Sequence, residues 1–340
     1  MTQHAPVVGV DLGGTKTTVA LVDADGTVGR ALTVPTPAAA GPGAVLDAVA
    51  DAVRSLGAGA PAAVGVGTAG VVDVGRGTIV SATDVMPGWP GTDVAGGLRE
   101  RLGTDVVHVE NDVDAHAAGE AWLGAAAGRS SALVVAVGTG VGAAVVLDGT
   151  VLRGAHHVAG EMGHVPTPGA EGLRCPCGRP GHLEALGAGP AVLRRYVELG
   201  GDPATPDTRD VVARADAGDP LALRAVADAA GVVGRATAGI VTVLDPEIVV
   251  FAGGLSRATG GWWPAMLGAL RAELIDVLVG VPVVLAQLDN AAAVGAARGA
   301  HRALARIGGI VDPTLAVPRT AVPATAAGAA RTSDVGRTAP

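Results

Sequence analysis

The stretch Val7-Val8-Gly9-Val10-Asp11-Leu12-Gly13-Gly14-Thr15-Lys16-Thr17-Thr18-Val19-Ala20-Leu21-Val22 decides how the chain is read. Val7 to Val10 is a short apolar run that ends in Asp11 and reads as a buried strand. Leu12 to Lys16 makes a tight glycine turn, and Thr17 to Val22 is a second strand. Asp25-Gly26 is a hairpin signal leading to a third strand near Val28 to Thr33. The same order returns at Ala132 to Val137, the turn Gly138-Thr139-Gly140-Val141-Gly142, Ala143 to Leu147 and Asp148-Gly149. Two copies of strand, glycine turn, strand, Asp-Gly predict a duplicated α/β fold with a cleft between its halves.

Working outward, helical patterns cover Asp47 to Leu56, Val94 to Leu102, Leu186 to Tyr196 and Leu221 to Leu244. Buried strands are predicted at Ala63 to Gly67, Val106 to Val109 and Ile248 to Ala252. The first is followed by the loop Thr68-Ala69-Gly70, the second by Glu110-Asn111-Asp112 and a helix from Val113 to Leu123, the third by Gly253-Gly254. Asp289-Asn290 reads as the cap of a last helix through about Ala305. From Pro313 the chain is Ala, Thr, Pro and Gly without apolar period, the composition of a disordered tail.

A second stretch carries chemistry. Gly160-Glu161-Met162-Gly163-His164 is followed by Cys175-Pro176-Cys177-Gly178 and Gly181-His182-Leu183-Glu184, which hold both cysteines of the chain. His164, Cys175, Cys177 and His182 are four thiol or imidazole ligands, enough for a closed tetrahedral zinc site. Two free thiols in a loop are the plain alternative. A metal tie would fix Glu161 and Glu184 in one place, which suits a polyhydroxyl ligand.

Composition narrows the field. Of 340 residues 49% are hydrophobic but only 2% aromatic, so the core is built from Ala, Val and Leu. The net charge of −8 argues against nucleic acid or an anionic membrane surface as partner. The longest uncharged run, Ser130 to Leu147, is broken by the Gly138 turn and reads as two strands, not a membrane span. Without a signal-peptide pattern, the expected compartment is the cytoplasm, with reduced thiols.

Exposed backbone N–H groups in the Asp11–Lys16 and Gly138–Gly142 turns are able to cradle phosphate oxygens, although neither has Walker A or dinucleotide spacing. Gly253-Gly254 is a third close-approach position, suited to a nucleoside. Asp112, at a helix start, is a candidate base kept ionised by the helix dipole, or else an ordinary cap. Asp11 is placed to hold a hydrated Mg²⁺.

Asp11–Lys16, Glu110-Asn111-Asp112, Gly138–Gly142, Gly160–His164 and the run from Cys175 to Glu184, in this order, resemble the ROK family of sugar kinases, in the group that includes bacterial glucokinases. The resemblance covers about Val7 to Arg306. It implies an actin-like ATPase (ribonuclease H-like) fold, two α/β domains around a central cleft. The expected division is 1–110 plus 290–310 for the small half and 111–289 for the large half, with 313–340 as tail. It implies ATP, Mg²⁺ and structural Zn²⁺, and a hexose phosphorylated on its 6-hydroxyl. Asp112 would be the general base. Asn111, Glu161, His164 and Glu184 would hold the sugar hydroxyls. Asp11, Gly13, Gly14, Thr15, Lys16, Gly138, Thr139 and Gly140 would surround phosphates and metal, with Gly253 and Gly254 beside the adenosine. Zinc would take His164, Cys175 and Cys177, with His182 standing where relatives often have a third cysteine. Relatives often carry an asparagine near Ala82 to Val85; Asp84 is its counterpart, and with Gly70 it bears on the choice of sugar.

The expected activity is glucokinase. N-acetylmannosamine, N-acetylglucosamine and fructose are the alternative substrates, and polyphosphate an alternative donor. A sugar-binding regulator is the reading from another class. Repressors of this family place a DNA-binding domain before the first strand, and only six residues precede Val7. A homodimer is expected from the resemblance.

Overall fold

The computed structural model describes residues 6–308 apart from 58, 84, 85 and 260. Asp84 and the predicted tail lie outside the described residues.

β1 (Val7–Leu12), β2 (Lys16–Val22) and β3 (Val28–Pro35) form an antiparallel ladder. After α1 (Pro42–Ser55), β4 (Ala63–Thr68) lies parallel to β1. A small hairpin of β5 (Val71–Asp73) and β6 (Thr78–Ser81) and then α2 (Val94–Leu102) lead to β7 (Val107–Asn111), parallel to β4. α3 (Asp112–Leu123) crosses to the second half, where β8 (Ser131–Val137), β9 (Val141–Leu147) and β10 (Thr150–Val151) repeat the ladder. α4 (Glu184–Gly187), α5 (Gly189–Glu198), α6 (Thr208–Asp216) and α7 (Pro220–Leu244) precede β11 (Val249–Ala252), parallel to β8. α8 (Trp262–Glu273) and β12 (Val283–Leu285), parallel to β11, complete the second sheet. α9 (Ala291–Ile307) returns to the first sheet.

The two sheets run β3-β2-β1-β4-β7 and β10-β9-β8-β11-β12, three antiparallel strands followed by two parallel additions in each. The duplication expected from the glycine turns is therefore present. Both are covered on two faces, as parallel strands require. In the first sheet Val8, Val10 and Val66 pack under α1 and α2, while Val7, Ala20 and Ala63 face Ala293, Ala297 and Ala300 of α9. In the second, Leu133, Val135 and Phe251 pack under α5 to α8, and Val134, Val146 and Val250 face Ala117 and Ala121 of α3.

α3 and α9 thus lie between the sheets, and small residues let them touch. A Cβ on Gly295 would stand 1.8 Å from the Ala115 carbonyl oxygen, and one on Gly119 would stand 2.2 Å from that of Ala291. Gly9 and Gly65 meet α9 the same way, at 2.0 Å from the Ala293 and 1.8 Å from the Ala296 oxygen. The Ala-Gly richness of the sequence is spent on this close crossing.

Some elements depart from the sequence reading. α1 starts at Pro42, five residues before the expected Asp47, because Pro42 fits the first helical turn without losing a bond. The helix expected over Leu186 to Tyr196 is two helices broken at Ala188, which is extended and caps α5, with Pro190 in the first turn of the new helix. α7 is long and apolar enough to cross a membrane, but Val226, Val233 and Val241 lie in the core of the second half. Asn290 occupies the cap position of α9 yet makes no side-chain cap bond.

Candidate active site

Strand register brings the first group together. Leu12 pairs with Thr68, and Thr68 with Asn111, so the Gly13 turn, the Gly70 loop and Asn111-Asp112 leave the sheet side by side. They sit at the carboxyl ends of parallel strands, where α/β sheets open their crevices. Asn111 caps α3: its Oδ1 accepts from the N–H groups of Val113 (2.8 Å) and Asp114 (3.2 Å), and its Nδ2 donates to the Gly70 oxygen at 3.0 Å. The cap role considered for Asp112 therefore belongs to Asn111, leaving one Asp112 oxygen on the Val113 N–H and the other for chemistry.

Burial is the largest influence on Asp112. It pushes the carboxyl above its ordinary value, against the opposing pull of the Val113 N–H and Asn111. Asp11 is pushed up to about 6 by burial and then by Asp112, with Lys16 pulling it down. The Asp11 and Asp112 charges thus interact at the end of the first sheet, where β4 separates β1 from β7. In the Gly13 turn the Gly13 N–H donates to the Lys16 oxygen at 3.1 Å, and Thr15 and Lys16 are exposed.

The second sheet supplies the facing group. The Gly138 N–H closes the turn on the Gly140 oxygen at 2.9 Å, and Thr139 projects into solvent. Gly253, at φ +88°, follows β11 so closely to β8 that a Cβ would stand 2.3 Å from the Val137 oxygen. Gly254 beside it is exposed. Glu184 heads α4 and accepts the Val141 N–H at 2.9 Å, which anchors it to the same turn. Gly160, at φ +94°, presses the next segment onto β9, where a Cβ would stand 2.1 Å from the Ala143 oxygen. The short turn Met162–His164 then sets Glu161 and His164 on one side, with Nε2 3.7 Å from Oε2. Burial raises Glu161, His164 lowers it, and Asp112 and Glu184 raise it further. Asp112, His164 and Glu184 are therefore all close enough to Glu161 for their charges to act on it.

Behind them lies the metal group. A turn closed by the Gly178 N–H on the Cys175 oxygen (2.9 Å), with Gly178 at φ +90°, points the two thiols together. The Cys175 sulfur is 3.5 Å from His164 Nδ1, the Cys177 sulfur 3.3 Å from His182 Nδ1, and all four ligand atoms fall within 4.8 Å of one another. Zn–S and Zn–N bonds of about 2.3 and 2.1 Å in a tetrahedron put ligand atoms roughly 3.4 to 3.8 Å apart, so the set fits zinc. His164 turns Nδ1 toward the Cys175 sulfur and Nε2 toward Glu161.

The sequence matches the ROK family across residues 7–303. The chain belongs to the ROK family. Among ROK proteins, the glucokinase of Thermotoga maritima is 32% identical over 286 residues, covering 80% of this chain and 88% of that one. The ROK hexokinase of Thermus thermophilus is 37% identical with a TM-score of 0.74, covering 87% and 98%. A ROK glucokinase from Streptomyces griseus, solved with glucose and AMPPNP, is 29% identical with a TM-score of 0.76, covering 87% and 99%. The actin-like ATPase fold is that of these ROK kinases.

Two features of this ROK chain escaped the sequence. Arg153 donates to both Glu110 and Asp114, a fully buried and a nearly buried carboxylate. A cavity of about 880 Å³ opens between Leu133, Val145, Val232 and Ile240 and touches Gly160, Glu161 and Met162, but not Asp11, Asp112 or Glu184. Arg153 stands alone in sequence, and the cavity exists only once α7 lies beside β9, so no local pattern announces either.

Proposed function

We propose that the chain is a glucokinase-like enzyme, an ATP-dependent kinase that phosphorylates a hexose on its 6-hydroxyl. Its relatives support the activity, and one observation carries the mechanism: a half-buried Asp112 at the start of α3, beside the Asn111 cap and near enough to Asp11 and Glu161 to act on their charges. Asn111, Glu161, His164 and Glu184 hold the sugar hydroxyls, with Gly70 beside Asn111 bearing on the choice of sugar. As the 6-oxygen attacks the γ-phosphorus, Asp112 takes the hydroxyl proton, the bond to ADP breaks, and the proton stays on the carboxyl. A base with a raised pKa accepts that proton more readily. Gly13, Gly14, Thr15, Lys16, Gly138, Thr139 and Gly140 line the phosphates, and Gly253 and Gly254 approach the adenosine. Asp11 would hold a hydrated Mg²⁺, which would supply charge neutralisation at the phosphates.

His164, Cys175, Cys177 and His182 would hold zinc, which braces the loop and does no chemistry. The small half is 1–110 with 290–310 and the large half 111–289. A cytoplasmic homodimer completes the reading; exposed Val158, Val165 and Val243 around the cavity are the apolar side chains a second copy would cover.

The test is turnover on glucose, mannose, fructose, N-acetylglucosamine and N-acetylmannosamine, with ATP or polyphosphate, beside Asp112→Asn. Glucose with ATP should give the highest kcat/KM. Asp112→Asn should lose about 10³-fold or more in kcat while still binding glucose, within the range removal of a general base allows. Full turnover by that variant would end the assignment of the base.

A further inference from the structure

Glu110 and Asp114 stand two residues before and two residues after Asp112. Glu110 ends the first sheet on β7 and is completely buried. Asp114 lies in the first turn of α3, 8% exposed. Arg153 reaches in from the segment after β10 of the second sheet, donating from Nη2 to Glu110 Oε2 and from Nη1 to Asp114 Oδ2. His108 Nε2, also on β7, lies 3.4 Å from the other Glu110 oxygen. One guanidinium therefore grips both flanks of the turn that carries Asp112. The same segment runs on from Arg153 to Glu161, tied by the Ala159 N–H donating to the Arg153 oxygen at 3.3 Å.

Burying two carboxylates and a guanidinium is expensive in stability, and packed apolar residues would serve as well or better. Among the described residues the group makes no contact that a sugar or nucleotide needs. What it supplies is geometry. Arginine's planar fork fixes direction as well as distance, and here it fixes two carboxylates at once. We propose that Arg153, with Glu110 and Asp114, is the positioning residue that sets Asp112 within proton-transfer reach of the 6-hydroxyl of the sugar that Glu161 helps to hold. The fork joins a strand of one sheet, the helix between the sheets and the sugar-binding segment of the other. Small displacements matter at this point, since a shift of about 1 Å in a reacting group costs on the order of 10²-fold in rate. The inference rests on Asp112 being the base.

The experiment compares Arg153→Met, Arg153→Lys and Asp112→Asn by steady-state kinetics, with glucose binding read separately from tryptophan fluorescence or calorimetry. Arg153→Met should lower kcat by about 10- to 100-fold, with glucose Kd and KM within about 3-fold of the parent. Arg153→Lys keeps the charge but reaches one carboxylate at a time, so it should recover part of the loss and leave KM unchanged. Where the Met variant does not fold, the Lys variant alone carries the test, with an expected loss of about 3- to 10-fold in kcat. Parent kcat in Arg153→Lys and Arg153→Met, or a loss that appears in Kd and not in kcat, overturns the proposal. An active Asp112→Asn removes the base assignment itself; an inactive Asp112→Asn beside a fully active Arg153→Met removes only the fork.

Discussion

Asp11 is held at about 6 by burial and by the Asp112 carboxyl, well above its ordinary 3.8. A raised folded pKa means that ionising this group costs stability. The cost is complete above about pH 6 and vanishes as pH falls through the unfolded value near 4. At neutral pH it amounts to at most about 3 kcal/mol at 1.36 kcal/mol per unit. Asp11→Asn should therefore raise Tm at pH 7.5, show no gain at pH 3.5, and lose turnover with Mg-ATP; thermal melts at the two pH values check it. Asp112 gives the kinetic counterpart. Its pKa is raised, so the acid limb of kcat/KM should fall at a pH above that of an ordinary aspartate. A pH–rate profile with its acid limb at or below pH 4 would contradict a buried base.

The metal loop and the α3–α9 crossing make predictions at the scale of elements. Cys177→Ser, or stripping with a strong chelator, should abolish one bound zinc by elemental analysis. It should raise KM for glucose more than it lowers kcat, because the loop orients Glu161 and Glu184 but not Asp112. At the crossing, Gly295→Val would drive a side chain into the Ala115 oxygen, 1.8 Å from its Cβ. Destabilisation of about 2 to 4 kcal/mol or failure to fold is expected, read by urea denaturation. By contrast, a Cβ on Gly239 of α7 meets nothing within 4 Å, and Gly239→Ala should be neutral or slightly stabilising.

Across the whole molecule, two sheets of identical strand order face each other through two helices. Val243, 82% exposed at the cavity, is the place to break the proposed dimer; Val243→Asp should shift sedimentation to the monomer with turnover retained. The sequence revealed the repeat because each copy is local: Val7–Val22 and Ala132–Leu147 are alternating or apolar runs around glycine turns. The Cys-His group was visible because its residue types are rare in this chain. α6, α8, β12 and the β5–β6 hairpin were not read, since they are short or follow an Ala-Gly composition that blurs the 3.6-residue period. The fork of Arg153 joins residues 39 and 43 positions apart, which no local window spans.

The return of α9 has a consequence for how the protein is made. β1 and β4 leave the ribosome early, yet Gly9 and Gly65 are shaped to receive Ala293 and Ala296 of the final helix. Throughout synthesis of the second half, that face of the nascent first sheet stays open to water and to chaperones, until α9, the last helix among the described residues, seals it.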